Sequence, residues 1–262
     1  MTDHPSDDTP VQDPWARLRA ATPARIGLGR NGAGLPTGAL NTFRADAARA
    51  RDAVHAPLDF DALAAGLPDL PVLRMASAAP DRPTYLRRPD LGRRLSDADR
   101  AALAPADPAP DLVFVVCDGL SSAAIATHAA PFLKIVTEQL SDLTLGPVVL
   151  VREGRVAIGD EIGGALGAGM VAVLIGERPG LTVADSMGLY LTYGPRTGRQ
   201  DSERNCLSNI HTSGGQSYET AAAKLAWLVR EARARGLTGT RLKEEAPALA
   251  APDPAKGIGA PD

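Results

Sequence analysis

A chain of 262 residues, 44% hydrophobic and 23% charged with a formal net charge of −3, has the balance of one large globular domain or two modest ones. That charge offers no bulk attraction to nucleic acid, and no apolar run approaches the roughly 20 residues that span a bilayer. Two cysteines, Cys117 and Cys206, cannot build a disulfide framework, so a cytoplasmic chain without nucleic-acid or membrane partners is expected.

The first residues, "MTDHPSDDTPVQDP", lack the apolar stretch of a secretory signal. Residues 1–13 read as a disordered leader and 245–262 as a disordered tail, because Pro, Ala and Asp with few large apolar residues cannot offset their ordering entropy. Residues 14–104 are expected to form a small helical N-terminal domain. Within it "GLGRNG", Gly27 to Gly32, matches the dinucleotide pattern G-x-G-x-x-G. That pattern binds pyrophosphate only when a strand leads in and a helix N-terminus follows. Pro23 leaves little room for the strand, so a turn or contact surface is the better reading. "TGALNTFRADAARARDAVH" sets Leu40, Phe43, Ala47, Ala50 and Val54 at helical spacing, with arginines on the other face. Beyond "PVLRMA" this half has few strand-like runs. Arg87, Arg88, Arg93 and Arg94 form either a solvated face or a docking surface, and Ser96 is placed to cap the helix "DADRAAL".

After the Pro-rich connector "APADPAP" the pattern changes, and 105–244 read as an α/β domain. The apolar runs "DLVFVVC", "PVVLVR", "MVAVLIGE" and "LYLTY" predict buried strands. Helices are predicted from Ser121 toward Leu140, around "DEIGGALGA", and over "SYETAAAKLAWLVREARARG". Such alternation predicts a mostly parallel sheet covered on both faces. Ligands of such sheets bind beyond the carboxyl ends of the strands, here the loops "CDGLSS", "GERPGL" and the long segment from Gly194 to Gln216.

Three constellations there could carry chemistry. Ser121, with His211 as base and Asp185 as orienter, has the order of a stand-alone serine hydrolase. However, Ala123 stands where the nucleophile elbow needs a glycine, and no Gly-rich oxyanion segment lies upstream; a helix N-cap is the simpler role for Ser121 or Ser122. "NCLSNIH" reads as a metal site, a Cys–His pair or the wall of a pocket. Zinc needs two more ligands, and Cys117 and His128 sit in an apparent strand and helix. Nothing nearby depresses the Cys206 thiol, so a small buried Cys beside a hydrogen-bonded His is the default. In "GERPG", Glu177 and Arg178 end an apolar strand, as a local ion pair or as a polar rim for a ligand's amides.

Taken in order, "ARIGLGRNGAGLPT", "ARARDAVH", "YLRRPDLGRRL", "VVCDGLSS", "LVREGRVAIGDEIG", "LIGERPGL" and "CLSNIHTSGG" resemble the small subunit of ethanolamine ammonia-lyase, an adenosylcobalamin-dependent radical enzyme. The resemblance runs from about Trp15 to about Arg235. It implies a Rossmann-like C-terminal domain after the helical one, a TIM-barrel large subunit that binds ethanolamine, a hetero-oligomer, and conversion of ethanolamine to acetaldehyde and ammonia by a carbon–nitrogen lyase. By resemblance Val156, Glu177 and Cys206 contact the cobalamin, with no catalytic residue in this chain. "NIHTSG" has the spacing of D-x-H-x-x-G with Asn209 for the Asp. The family binds its cofactor with the nucleotide's own base on cobalt, so His211 is not expected as a metal ligand. A bacterial microcompartment is the family's further setting.

Overall fold

The computed structural model describes residues 13–22, 24–243 and 245. Nearly all of the expected leader and tail, and Pro23, therefore lie outside the described residues. The chain divides into two compact units, Met1–Arg49 and Ala50–Asp262.

In the first unit, helix α1 (Ala16–Ala21) has no buried residue, and helix α2 (Thr37–His55) begins and runs on into the second unit. Polar contacts organise this region. Arg25 and Arg49 both bind Asp46, and Arg19 binds Asp13 and donates to the Gly27 carbonyl at 3.0 Å. "GLGRNG" is not preceded by a strand; it runs into a short turn closed by Asn31 and Gly34. The dinucleotide geometry is therefore absent there.

In the second unit, helix α3 (Phe60–Ala65) is capped by Asp59, strand β1 is Val72–Ala76, and helix α4 (Arg82–Arg87) is capped by Asp81. Helix α5 (Asp97–Ala102) follows, its Asp99 N–H donating to Ser96 Oγ at 3.1 Å, the expected cap. The remaining elements are strand β2 (Leu112–Cys117), helix α6 (Ser122–Gln139), strand β3 (Leu145–Arg152), helix α7 (Ile158–Ala165), strand β4 (Met170–Gly176), strand β5 (Met187–Tyr193), strand β6 (Asn205–Ile210) and helix α8 (Tyr218–Arg235). The strand in "PVLRMA" thus joins the sheet of the downstream segment: β1 pairs with β3 in parallel, Val72 opposite Val148.

The architecture is α/β, with one mixed, mostly parallel six-stranded sheet of order β1-β3-β2-β4-β5-β6. β2 pairs in parallel with β3 and β4, whereas β5 is antiparallel to both β4 and β6. Connectivity explains the mixture. Helices α6 and α7 supply the long crossovers that parallel pairing demands, while no α-helix links β4 to β5 or β5 to β6, so the chain turns back. β2 and β4 are buried at every residue, as expected of strands covered on both faces.

Alternating side chains divide the core. Phe114, Val116, Leu174, Leu189 and Leu207 face α6 and α8; Val113, Val115, Val151, Val171 and Val173 face Ile158 and Ile162 of α7. The stretch "NCLSNI", expected inside a long loop, is strand β6. Leu207 and Ile210 are buried, while Cys206 and Ser208 are exposed. A short outer strand with one buried face and an irregular register against β5 carries too little apolar signal to be read as a strand.

Candidate functional site

Beyond the carboxyl ends of β2, β3 and β4, where such sheets bind ligands, lie Asp118, Glu153, Val156 and Glu177; Cys206 lies further in, opposite Tyr190, which itself pairs with Val173 in the middle of β4. The chain leaves β2 through Asp118-Gly119, and the turn presses on the end of β4. Gly119 has φ 62°, a Cβ on it would stand 2.4 Å from the Gly176 carbonyl, and a Cβ on Gly176 would stand 2.1 Å from the Ser121 carbonyl. Both positions need glycine so that the two strand exits can meet.

Ser121 is buried and fully committed. It accepts from the Ala124 N–H at 3.2 Å as the cap of α6 and donates to the Ala184 carbonyl at 2.8 Å. His211 is also buried. Its Nδ1 accepts from the Ser213 N–H at 3.1 Å, which leaves Nε2–H to donate to Asn209 Oδ1 at 2.8 Å. Neither ring nitrogen is free to act as a base, so the serine-hydrolase reading fails. The same bonds leave no nitrogen for a metal, and among the described residues no group of three or more His, Cys, Asp and Glu side chains could hold one.

Glu177 follows β4 directly and is half-buried. Its N–H donates to the Ser186 carbonyl at 2.9 Å, and its Oε2 accepts from Ser186 Oγ at 2.5 Å and from the Asn209 N–H at 3.3 Å. Asn209 reaches it from a left-handed conformation, φ 61°, which Asn tolerates better than most residues. Both side-chain bonds end on Oε2, while Oε1 lies over Gly188, where a Cβ would stand 2.9 Å from it. Arg178, its exposed neighbour, makes no ion pair with it.

Beside Glu177, Tyr190 of β5 sits opposite Cys206 of β6. Cys206 is exposed, not buried as the default reading had it. Partial burial still holds its thiol above the usual range, and nearby Glu177 adds to this against a hydrogen bond from the Tyr190 hydroxyl. Burial, with Cys206 and Glu177 close by, likewise raises Tyr190. Both shifts favour the protonated thiol and phenol. Val156, in the turn between β3 and α7, packs against the same core face as Tyr190.

The structure therefore brings Glu177 and Cys206 together and puts Val156 on their side of the sheet. Reading residues one at a time missed Tyr190 and Ser186. Tyr190 was legible as the off-phase residue of "LYLTY", while Ser186 carries no signal without the fold; Asn209 was singled out only as the residue in place of Asp beside His211, and its bond to Glu177 was not foreseen. A second polar group closes the ends of β2 and β3: Arg82 Nη1 lies 2.9 Å from Glu153 Oε2 and 3.6 Å from Asp118 Oδ2. Burial, reinforced by Glu153 and opposed by Arg82, pushes the Asp118 carboxyl up to about 7. Arg87, Arg88, Arg93 and Arg94 are all exposed, and Arg88 pairs with Asp90 at 2.7 Å.

Known proteins similar to this chain agree with one another. The family model "Ethanolamine ammonia-lyase light chain (EutC)" matches residues 12–243. A protein of Pseudomonas fluorescens (strain Pf0-1) named ethanolamine ammonia-lyase small subunit is 54% identical over 243 residues, covering 90% of this chain and 88% of its own. Proteins of the same name from Pseudomonas syringae pv. tomato and Azotobacter vinelandii are each 50% identical, over 94% and 92% of this chain and 90% and 92% of their own. The chain belongs to the ethanolamine ammonia-lyase light-chain family.

Proposed function

We propose that this chain is the small subunit of an ethanolamine ammonia-lyase, forming one wall of an adenosylcobalamin pocket against a TIM-barrel large subunit. The observation that carries the reading is the open strip where β5 meets β6, reached by the side chain that follows β4. There a carboxylate, Glu177, stands beside the exposed Cys206. A corrin is an apolar disc rimmed by amides, and this set fits it: the Glu177 carboxylate accepts an amide N–H, while Val156 and Cys206 offer small apolar contacts.

Bound there, adenosylcobalamin supplies the hydrogen-abstracting chemistry. The residues of this chain bind and orient it and shield it from water, and none of them activates the substrate. The crossovers through α6 and α7 support a Rossmann-like reading of residues 105–244, and we carry a mostly helical N-terminal segment over 14–104, whose strand β1 joins that sheet, as part of the same proposal. The setting is cytoplasmic, with a microcompartment as the family's further option; among the described residues no helix is long and apolar enough to cross a membrane.

Co-expression with the large subunit of an ethanolamine ammonia-lyase tests the reading. Adenosylcobalamin-dependent acetaldehyde release from ethanolamine is expected only when both chains are present. A stable complex that binds the cofactor without turnover would contradict it in favour of a scaffold.

A further inference from the structure

No residue of the loop from Glu177 to Ser186 is fully buried, so no core side chain of its own fixes it. Hydrogen bonds hold it instead, and they come in sequence. Ser121 Oγ donates to the Ala184 carbonyl at 2.8 Å. His128 Nε2 lies 2.8 Å from the Asp185 carbonyl. Ser186 then closes back on Glu177 through both its hydroxyl and its carbonyl. Two residues of the α6 segment thus pin consecutive carbonyls immediately before the residue that holds the Glu177 carboxylate.

His128 is wholly buried, and its protonation pattern follows from its partners. A carbonyl only accepts, so Nε2 carries the hydrogen. Burial favours the neutral ring, so Nδ1 accepts from the Tyr218 hydroxyl at 2.8 Å. Tyr218 opens α8, which packs along α6. The ring therefore bridges the two helices and the loop. The other charged or titratable groups facing it are Asp185, with Oδ2 3.8 Å from Nε2, and His211.

We propose that His128 is a positioning residue for the cofactor: as the Nε2–H tautomer oriented by Tyr218, it fixes the Glu177–Ser186 loop and so sets where the Glu177 carboxylate stands. This rests on the reading of Glu177 as a cobalamin contact. Losing the Asp185 bond leaves the chemistry intact but lets the loop, and Glu177 with it, wander, so the effect falls on cofactor affinity more than on turnover.

The test uses the two-subunit enzyme and compares His128→Gln with His128→Asn. Gln places an N–H near the Nε2 position and Asn only near Nδ1. Asn is expected to weaken adenosylcobalamin binding by about 10-fold in equilibrium dialysis and to speed amide exchange over residues 178–186, with kcat at saturating cofactor retained. Gln is expected to restore most of the affinity. Tyr218→Phe keeps the ring and removes only the donor to Nδ1; its expected loss of roughly threefold carries the test if His128→Asn fails to assemble. In a Glu177→Gln background His128→Asn is expected to add little further loss.

If Glu177→Gln weakens binding while His128→Asn and Tyr218→Phe leave both affinity and exchange unchanged, or if the losses simply add, the positioning role is wrong. If Glu177→Gln itself leaves affinity unchanged, the cofactor role of Glu177 falls and the proposal falls with it.

Discussion

One face of the sheet is sealed by α6 and α8, and its side chains from β3 to β6 are buried almost without remainder. The other face is covered by α7 over β2 and β4, then left open where β5 meets β6, so that Tyr190 is half-buried and Cys206 and Ser208 are exposed. The same strands serve both, since successive side chains point to opposite faces. The contrast separates two tasks. The sealed face supplies cooperative stability, and the open strip is free to present a carboxylate and small apolar groups to something outside the chain. Substitutions on the first should cost folding with little direct effect on binding, and those on the second the reverse.

The largest effects are expected at buried positions. Phe132→Ala removes a fully buried ring from α6 and should cost about 3–5 kcal/mol in urea denaturation. Arg204→Ala should cost a similar amount. The guanidinium meets Asp160 with two bonds of 2.7 Å, both side chains almost fully buried, and its loss strands a carboxylate in the interior. A milder result for Arg204 would mean that water reaches Asp160, and that this end of the open-sided face is less dry than its packing implies.

A pH-dependent effect comes next. Asp118 has its carboxyl raised from 3.8 to about 7 by burial and by Glu153. Between those values the folded chain keeps a proton that the unfolded chain has released. The stability this group contributes is therefore full below the lower value and lost as pH rises through the upper one. Thermal melts from about pH 5 to about pH 8 should show a flatter decline for Asp118→Asn than for the native chain. Parallel curves would show that the carboxyl is already ionised across the range.

The smallest folding effects belong to the open strip. Glu177→Gln and Cys206→Ser should each change stability by no more than about 0.5 kcal/mol. A loss comparable to that of Phe132→Ala would show that the strip belongs to the core after all and would erase the contrast between the faces.

Much of this was legible from residues alone. The continuous apolar runs of β2 and β4 announced strands buried on both sides, and Ser96 and Ser121 announced their helices as caps. The resemblance, and not the spacing, singled out Val156, Glu177 and Cys206. Strand β6 was hidden because only Leu207 and Ile210 of "NCLSNI" are buried, three positions apart, so an irregular register breaks the period-2 pattern that marks a strand. The place of β1 in the sheet was hidden because pairing with β3 joins residues far apart in the chain, which no local pattern reports. His128 gave no sign of its role, since its partners Asp185 and Tyr218 converge on it only after folding.

If the open strip is the cofactor wall, a bulky group placed on it should keep the cofactor out. Cys206→Phe puts a ring on an exposed position that the fold does not need. In the two-subunit complex, the melting temperature and subunit assembly should be unchanged, with adenosylcobalamin affinity reduced by about 10-fold or more. An affinity equal to that of the native complex would place the cofactor elsewhere.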